Sequence, residues 1–395
     1  MGLRGVLYTV CGLAGIFSRD PITPVDVALV ERMNEIQAHR GPDDVGIYTS
    51  HHCVLGHRRL AIIDLSRDGH QPFSSEDNRY QLIYNGEIYN YIELRGELEG
   101  LGWRFRTKTD SEVLLKAYQQ YGKSCLSKFN GMFAFAIYDS ENQTLFLARD
   151  RLGIKPLYYL ILGPRLYFSS EIKALTIIPS FRASINHQSL FDYVVFNRTD
   201  IHDETFLQEI RRLPKGHYAA FDRNGLRMRQ WWNPEEYLHK PSGRDPGTIS
   251  REIEEIMVSA VGLRMRSDVP VGSCLSGGLD SSILIGILYH HHDAGDRYQT
   301  FTASFPGHPI DETRYVDALN ARYPFKNNRT FPTARMARER LKEFVYANDD
   351  PTTNPSFYSQ YEVMRLAKEH GVTVLLDGQG GDENFAGYHY FHGFN

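Results

Sequence analysis

Residues Ser276–Ser282 read Ser-Gly-Gly-Leu-Asp-Ser-Ser and directly follow the apolar run Val269–Leu275. A strand that runs into paired glycines, hydroxyls and an acid constrains the fold more than any other segment. It predicts a strand, a phosphate-sized loop and then a helix, expected over Ser282–Tyr289. Glycines let backbone N–H groups approach phosphate oxygens, Ser276, Ser281 and Ser282 add hydroxyl donors, and the helix turns its positive end toward the anion. Asp280 alone would repel phosphate, so its sensible role is to hold Mg²⁺. No Gly-Lys-Ser/Thr follows, which excludes a Walker A loop. Gly277-Gly278 by itself would signify only a turn opening a helix, and it is the whole string after a strand that carries the reading.

A chain of 395 residues has room for two or more domains, each with its own core. A net charge of −4 leaves no electrostatic footprint for nucleic acid. No apolar run approaches the roughly 20 residues that span a bilayer, so no membrane partner is expected. Met1–Val10 is too short and too weakly apolar for a signal peptide. The four cysteines, Cys11, Cys53, Cys125 and Cys274, are scattered and form no CxxC pair. Neither a disulfide framework nor a zinc site is implied, and a reducing cytoplasm fits best. His290-His291-His292 falls at a predicted helix end, where successive side chains diverge by about 100° and cannot share one face.

The first half alternates short strands and helices. Val54–Ile63 and Tyr80–Tyr84 read as strands, with Asn85-Gly86 as a turn after the second. Thr109-Asp-Ser-Glu112 reads as a capping box ahead of the helical run Val113–Tyr118. Met132–Asp139 with Thr144–Arg149 reads as a hairpin, and a second hairpin is expected across Gly163-Pro164. The polar stretch Asn233–Thr248 is the natural linker. Beyond it the period changes: Ile253, Ile256, Met257, Ala260 and Val261 mark a helix with Ser250 as the expected cap. Strands Val271–Leu275, Tyr298–Phe305 and Val372–Leu376 alternate with helical stretches Thr313–Arg322, Ala334–Ala347 and Phe357–His370. That alternation predicts a parallel doubly wound sheet with ligands at the carboxyl ends of its strands.

Two ordered sets of motifs carry a resemblance. Cys11-Gly-Leu-Ala-Gly-Ile-Phe17, Arg40-Gly-Pro-Asp43, His57-Arg-Arg-Leu-Ala-Ile-Ile-Asp64, Asn85-Gly-Glu-Ile-Tyr-Asn90 and Thr109-Asp-Ser-Glu112 occur in the order of class II glutamine amidotransferases. Ser276–Ser282 resembles the ATP pyrophosphatase signature, and Leu376-Asp-Gly-Gln-Gly-Gly-Asp-Glu383 completes it. From Cys11 onward the chain resembles glutamine-dependent asparagine synthetases. The resemblance implies an α+β N-terminal-nucleophile αββα sandwich over 11–233, a linker over 234–250, and an α/β doubly wound ATP pyrophosphatase domain over 251–395, truncated at its C-terminus. Residues 1–10 would be an extension or a mis-assigned start.

The implied chemistry distributes over named residues. Cys11 is the nucleophile and its own α-amine, with a free pKa of about 8, the base. The Asn85 amide and the Gly86 N–H are the oxyanion donors. Arg59 can clamp the glutamine α-carboxylate and Asp110 can accept its α-ammonium, while Leu60, Ile62, Ile63 and Glu87 complete the glutamine site. Leu275, Ser276, Gly277, Gly278, Asp280, Ser281, Ser282, Ala303, Asp377 and Gly378 are the implied ATP site. Asp280 and Asp382 are the implied Mg²⁺ ligands, and Gln379 stands at the intermediate site. Glutamine, ATP and aspartate are the implied substrates, an acyl-adenylate the intermediate, and an interdomain channel the route for ammonia. The resemblance admits a homodimer.

Departures from the pattern bear on activity. With Val10 attached, Cys11 has no free α-amine, so the mature chain is expected to begin at Cys11. Gln379 replaces a glutamate assigned a proton-transfer role, and Asp377 replaces the usual serine. The family continues past Asn395, including a lysine that contacts the transition state. The acceptor could instead be a uronic acid of a surface polysaccharide or another carboxylate, or the chain could only hydrolyse glutamine. A non-catalytic paralogue would lose Cys11, Asn85 or Asp280, and none is lost. β-Lactam synthetase-like cyclases dispense with the cysteine.

Overall fold

The computed structural model describes residues 10–199, 201–238, 243–292, 294–295 and 298–388. It divides into two compact units: residues 1–239 together with 347–353, and residues 240–346 together with 354–395.

The first unit is built in chain order from β1 (Gly12–Ser18), α1 (Pro24–Ile36), β2 (Asp44–Thr49), β3 (Cys53–Arg59), β4 (Phe73–Ser74), β5 (Tyr80–Ile88), α2 (Tyr91–Gly100) and α3 (Asp110–Tyr121). The short α4 (Cys125–Lys128) leads into β6 (Gly131–Asp139), β7 (Thr144–Arg149), β8 (Tyr158–Leu162) and β9 (Arg165–Ser169). Then come α5 (Ile172–Thr176), α6 (His187–Phe196), β10 (Arg211–Arg212), β11 (His217–Asp222) and β12 (Gly225–Gln230). The strands form two six-stranded sheets, ordered β10-β8-β9-β1-β3-β2 and β12-β11-β7-β6-β5-β4, with antiparallel pairing throughout.

Alternation along β6 shows why these residues stack as layers. Phe133, Phe135 and Ile137 point toward α2 and α3, where they pack with Leu94, Leu98, Val113 and Leu114. Ala134, Ala136 and Tyr138 point the other way, onto Leu13, Phe17, Leu55 and Phe168 of the facing sheet. Small side chains at the sheet–sheet seam let the two sheets approach, with period-2 alternation dividing the faces. β1 repeats the device, with Leu13 and Phe17 inward and Ala14 and Ile16 packed on α1 and α5 residues Leu29, Val30, Met33 and Leu175. The result is an αββα sandwich, the layer order expected from the sequence.

The second unit comprises α7 (Pro246–Arg264), β13 (Val271–Cys274), α8 (Leu279–His291), β14 (Gln299–Ala303), α9 (Thr313–Arg322), β15 (Lys326–Thr330), α10 (Ala334–Glu339), α11 (Leu341–Asn348), α12 (Ser356–Glu369), β16 (Val374–Leu376) and α13 (Gly381–Phe385). Its four strands are parallel in the order β15-β14-β13-β16. Helices cover both faces: Val261, Leu284, Leu288 and Val316 pack on one, and Val363 and Ala367 with Phe301 on the other. Because β14 and β16 flank β13 on opposite sides, the strand order reverses at β13, and the carboxyl end at such a reversal is where open α/β sheets bind ligands.

Several expected boundaries move. β3 stops at Arg59 rather than Ile63. Helix α7 starts four residues before the expected Ser250 cap, because the Asp245 carboxylate takes the Thr248 N–H at 2.9 Å and Pro246 fits the first turn. The expected helix 334–347 is two helices, α10 and α11. β15, Lys-Asn-Asn-Arg-Thr, had no apolar signature. Its place at the sheet edge is held by polar bonds, Asn327 Nδ2 donating to Thr300 Oγ1 at 3.0 Å and Thr302 Oγ1 at 2.9 Å. His292 donates from Nε2 to the Val258 carbonyl at 3.0 Å, and no cluster of metal-ligating side chains occurs among the described residues.

Candidate active sites

Cys11 sits immediately before β1, half-buried. Its sulfur accepts from the Leu60 N–H at 3.4 Å, and its carbonyl accepts from Arg40 Nε at 3.0 Å. Burial is the first cause that pushes its thiol up to about 11; the Leu60 amide opposes it, Glu87 adds to it, and Lys155 and Arg59 pull it down. A thiol so placed stays protonated at neutral pH and needs a base in contact to become a nucleophile. The Arg40-Gly-Pro-Asp43 motif frames this residue. Asp43 accepts the Ala61 N–H at 2.9 Å, and a Cβ on Gly41 would fall on the Arg58 backbone.

Asn85 and Gly86 do not form a turn. They lie inside β5, paired to Ala134 and Phe133 of β6, and the ladder runs on to Ile88 opposite Gly131. Asn-Gly misled because this glycine serves close approach rather than a positive φ: a Cβ at Gly86 would collide with the Met132 carbonyl oxygen. Asn85 is 1% exposed, and its Nδ2 has no acceptor among the described residues. A buried amide donor without an acceptor costs stability, and a developing oxyanion would satisfy it. His57 fixes the strand from behind by donating Nε2–H to the Tyr84 carbonyl at 3.0 Å; burial lowers its pKa to about 3, so it is neutral.

Asp110 opens α3 with Thr109 as cap, and the Thr109 hydroxyl accepts the Glu112 N–H. The reciprocal half of the expected capping box is absent, since the Glu112 carboxylate turns to the Arg106 and Thr107 amides. Asp110 Oδ2 accepts from the Tyr84 hydroxyl at 2.8 Å and the Ile88 N–H at 3.1 Å. Burial raises its pKa to about 6. Glu87 is raised well above the usual carboxylate range, first by burial and then by Asp110, with Lys155 opposing. Burial and the repulsion between the two carboxylates both favour a protonated form until a cation arrives. Arg59 is anchored: Nη1 donates to the Ser66 carbonyl at 2.7 Å, and Nη2 to the Ile63 and Asp64 carbonyls. Any clamp on a carboxylate must use its remaining N–H donors. Leu60 and Ile63 are buried and Ile62 half-buried beside it.

In the second unit, Ser276, Gly277 and Gly278 form the β13–α8 loop, with Leu275 buried behind it. The helix starts at Leu279, not Ser282, so Asp280, Ser281 and Ser282 belong to its first turn. Gly277 adopts φ +89°, which favours glycine, and Gly278 is the cap. The Ser276 and Ser281 hydroxyls bond each other at 3.1 Å, and Ser282 donates to the Gly278 carbonyl at 2.6 Å. The Asp377–Gly381 loop packs directly on this turn: a Cβ on Gly378 would lie 2.8 Å from Asp280 Cβ, and one on Gly381 would fall on the Asp280 carboxylate. Asp377, its pKa raised by burial, accepts the Gln379 N–H at 3.1 Å, and Gln379 is exposed. Ala303 ends β14. Asp382 lies in the first turn of α13, and its Oδ1 is where a Cβ on Gly387 would fall. Asp280, whose carboxylate abuts Gly381, is the carboxylate at which the loop meets the β13–α8 turn.

Sequence reasoning gave no role to a chain of charges behind Cys11. Glu171 takes Arg40 at 3.0 Å, His39 at 2.8 Å and Lys173 at 2.8 Å, and Lys173 reaches Asp349 at 3.0 Å. Burial would raise Glu171, but the His39 hydrogen bond and the Arg40 and Lys173 charges bring it down to about 2. Arg40 lay in a recognisable motif; Asp349, distant in sequence, left no signal. Lys155, buried near Cys11 and Glu87, was also missed.

The first unit thus carries Cys11, Asn85 and Asp110 in an αββα sandwich, and the second the Ser276–Ser282 turn at the end of a parallel-sheet strand. Residues 10–232 match the family of glutamine amidotransferase domains, and residues 252–395 match that of asparagine synthase. The chain belongs to the glutamine-hydrolysing asparagine synthetase family. It is 35% identical over 96% of its length to asparagine synthetase [glutamine-hydrolyzing] 1 of Bacillus subtilis, and spans 59% of that protein. It is also 35% identical over 96% of its length to putative asparagine synthetase [glutamine-hydrolyzing] 2 of Methanocaldococcus jannaschii, spanning 75% of that protein. Asparagine synthetase B of Escherichia coli is 31% identical over 97% of this chain and is spanned to 65%. A Bacillus subtilis glutamine phosphoribosylpyrophosphate amidotransferase structure aligns over 93% of this chain and 91% of its own, at 17% identity and a TM-score of 0.44. No helix among the described residues is long and apolar enough to cross a membrane.

Proposed function

We propose that this chain hydrolyses glutamine at the first site and, at the second, uses ATP to activate a carboxylate that accepts the released ammonia. The observation that carries the reading is the Asn85 amide, buried with no acceptor on the strand that also bears Gly86 and Glu87. In the hydrolase step a Cys11 thiolate attacks the side-chain amide of glutamine. The thiol proton passes to the cysteine α-amine, available when Cys11 is the first residue, and from there to departing ammonia. Asn85 Nδ2 and the Gly86 N–H receive the oxyanion. Glu87 and Asp110 receive the α-ammonium, and the remaining Arg59 donors the α-carboxylate.

In the second unit the Ser276–Ser282 turn would cradle the phosphates of ATP, Leu275, Ala303, Asp377 and Gly378 the adenosine, and Asp280 with Asp382 would hold Mg²⁺. A bound Mg²⁺ supplies charge compensation for the pyrophosphate leaving group. Aspartate is the proposed acceptor, through aspartyl-AMP. A second acceptor class, a uronic acid or other carboxylate, is favoured by Gln379, which hydrogen-bonds but cannot take a proton. The test is glutamate release by a chain beginning at Cys11. Cys11→Ala should abolish it, and Asn85→Ala should lower it by roughly 10²–10³-fold. Undiminished hydrolysis by either variant would overturn the assignment. Pyrophosphate release with aspartate and with sugar acids then decides the acceptor.

A further inference from the structure

Lys155 lies in the segment between β7 and β8 and is 8% exposed. Its backbone is fixed at both ends, the N–H donating to Asp150 Oδ2 at 3.0 Å and the carbonyl accepting from Arg149 Nε at 2.8 Å. The Asp150 carboxylate that organises this turn also takes the Phe133, Leu152 and Ile154 amides, so Lys155 is delivered by a rigid element. Its ammonium makes no ion pair among the described residues, whereas buried charges are ordinarily paired. The Asp150 Oδ2 that takes the Lys155 N–H also takes the Phe133 N–H, and Phe133 lies directly opposite Gly86 on β5, next to Asn85 and Glu87. The charges that act on Lys155 are those of Glu87, Arg40, Cys11 and Asp150, and Glu87, Lys155 and Arg59 are those that act on Cys11.

We propose that Lys155 is a positioning residue of the glutaminase site, a buried ammonium left unpaired so that it favours the negative forms of the Cys11 thiol and the Glu87 carboxylate. The inference rests on the assignment of Cys11 and Glu87 to that site. An ammonium fully paired to a local carboxylate would be neutralised as a source of field. Left facing two groups that must both become anionic when glutamine reacts, it acts on both through low-dielectric surroundings, where a charge is felt more strongly than in water. Burial lowers Lys155 itself while Glu87 supports its charge, so the cluster is mutually dependent.

The test reads the thiol directly, without glutamine. Alkylation of Cys11 by iodoacetamide, followed by peptide mass spectrometry across pH 7–10, reports its thiolate fraction. Lys155→Met should slow alkylation about tenfold at a fixed pH, equivalent to one pH unit of displacement, while Lys155→Arg stays within about threefold of the parent. A Lys155→Met protein that melts like the parent and alkylates at the parent rate overturns the proposal. Should Lys155→Met not fold, ¹⁵N-lysine titration of Lys155 decides. Its pKa should fall in Glu87→Gln, and an unchanged value overturns the shared cluster. Loss of glutamine hydrolysis assays as a whole would sink the hydrolase reading, yet leave the alkylation ratio to stand or fall by itself.

Discussion

At residue scale the carboxylates Glu87 and Asp110 are the groups whose protonation puts the proposed ammonium site to the test. Asp110 is raised to about 6 chiefly by burial, and Glu87 is raised further by burial and by Asp110. A carboxylate raised in the folded state binds protons there more tightly than when unfolded, so its ionisation weakens the fold as pH rises from about 4 through about 6. An α-ammonium bound at the two, as proposed, would reverse that cost and expel a proton. Glutamine binding to a Cys11→Ala protein near pH 7 should therefore release up to one proton. Calorimetry in buffers of different ionisation enthalpy measures it directly. Below about pH 6 the affinity should fall, approaching tenfold per pH unit as Asp110 protonates. Binding with no proton release and no loss of affinity at pH 5 would remove both carboxylates from the ammonium site.

At the scale of elements, the β13–α8 turn and the loop after β16 are one object, because their strands are neighbours in the parallel sheet. Gly381 has no room for a Cβ beside the Asp280 carboxylate. Gly381→Ala should displace that carboxylate and lower ATP-dependent pyrophosphate release at least tenfold, with glutamate release unchanged; equal loss of both activities would count against the loop contact. Much of this architecture was legible, since β6–β7 and β8–β9 are hairpins of period-2 alternation and the Ser276–Ser282 string sits after a strand as its chemistry requires. The failures have physical causes. Asn85-Gly86 carried turn chemistry, but a nine-residue strand paired along its length with β6 overrode it. The β15 edge is held by asparagine–threonine bonds and presents no hydrophobic pattern. The Asp245 cap lay inside a stretch whose composition spoke only for a linker. Site residues on motifs were readable, while Lys155 and Asp349 are placed by contacts with residues distant in sequence and leave no spacing to detect.

For the whole molecule, the first unit recruits residues 347–353 from far along the chain. Within it the Asp349 carboxylate accepts the Ile172 N–H at 2.6 Å and pairs with Lys173, Arg212 pairs with Asp350 at 2.6 Å, and the Thr352 carbonyl accepts the Tyr193 hydroxyl at 3.0 Å. Asp349 adopts φ +63°, a conformation aspartate tolerates better than most residues, and one that turns the segment back after α11. Lys173 also serves Glu171, and Glu171 holds the Arg40 that bonds the Cys11 carbonyl. Removing one member of a buried charge network leaves its partner uncompensated, at a typical cost of about 3–5 kcal/mol. Asp349→Ala should therefore lower the melting temperature of the first unit by several degrees and diminish glutamate release. Asp349→Asn should do less harm, because its amide oxygen still accepts from Ile172 although the ion pair is gone. Thermal melting read through the first unit's tryptophans, all of which lie between residues 103 and 232, separates this from changes elsewhere in the chain. If Asp349→Ala melts with the parent and hydrolyses glutamine at the parent rate, the segment 347–353 contributes nothing to holding Cys11, and the chain of charges through Glu171 ends at Lys173.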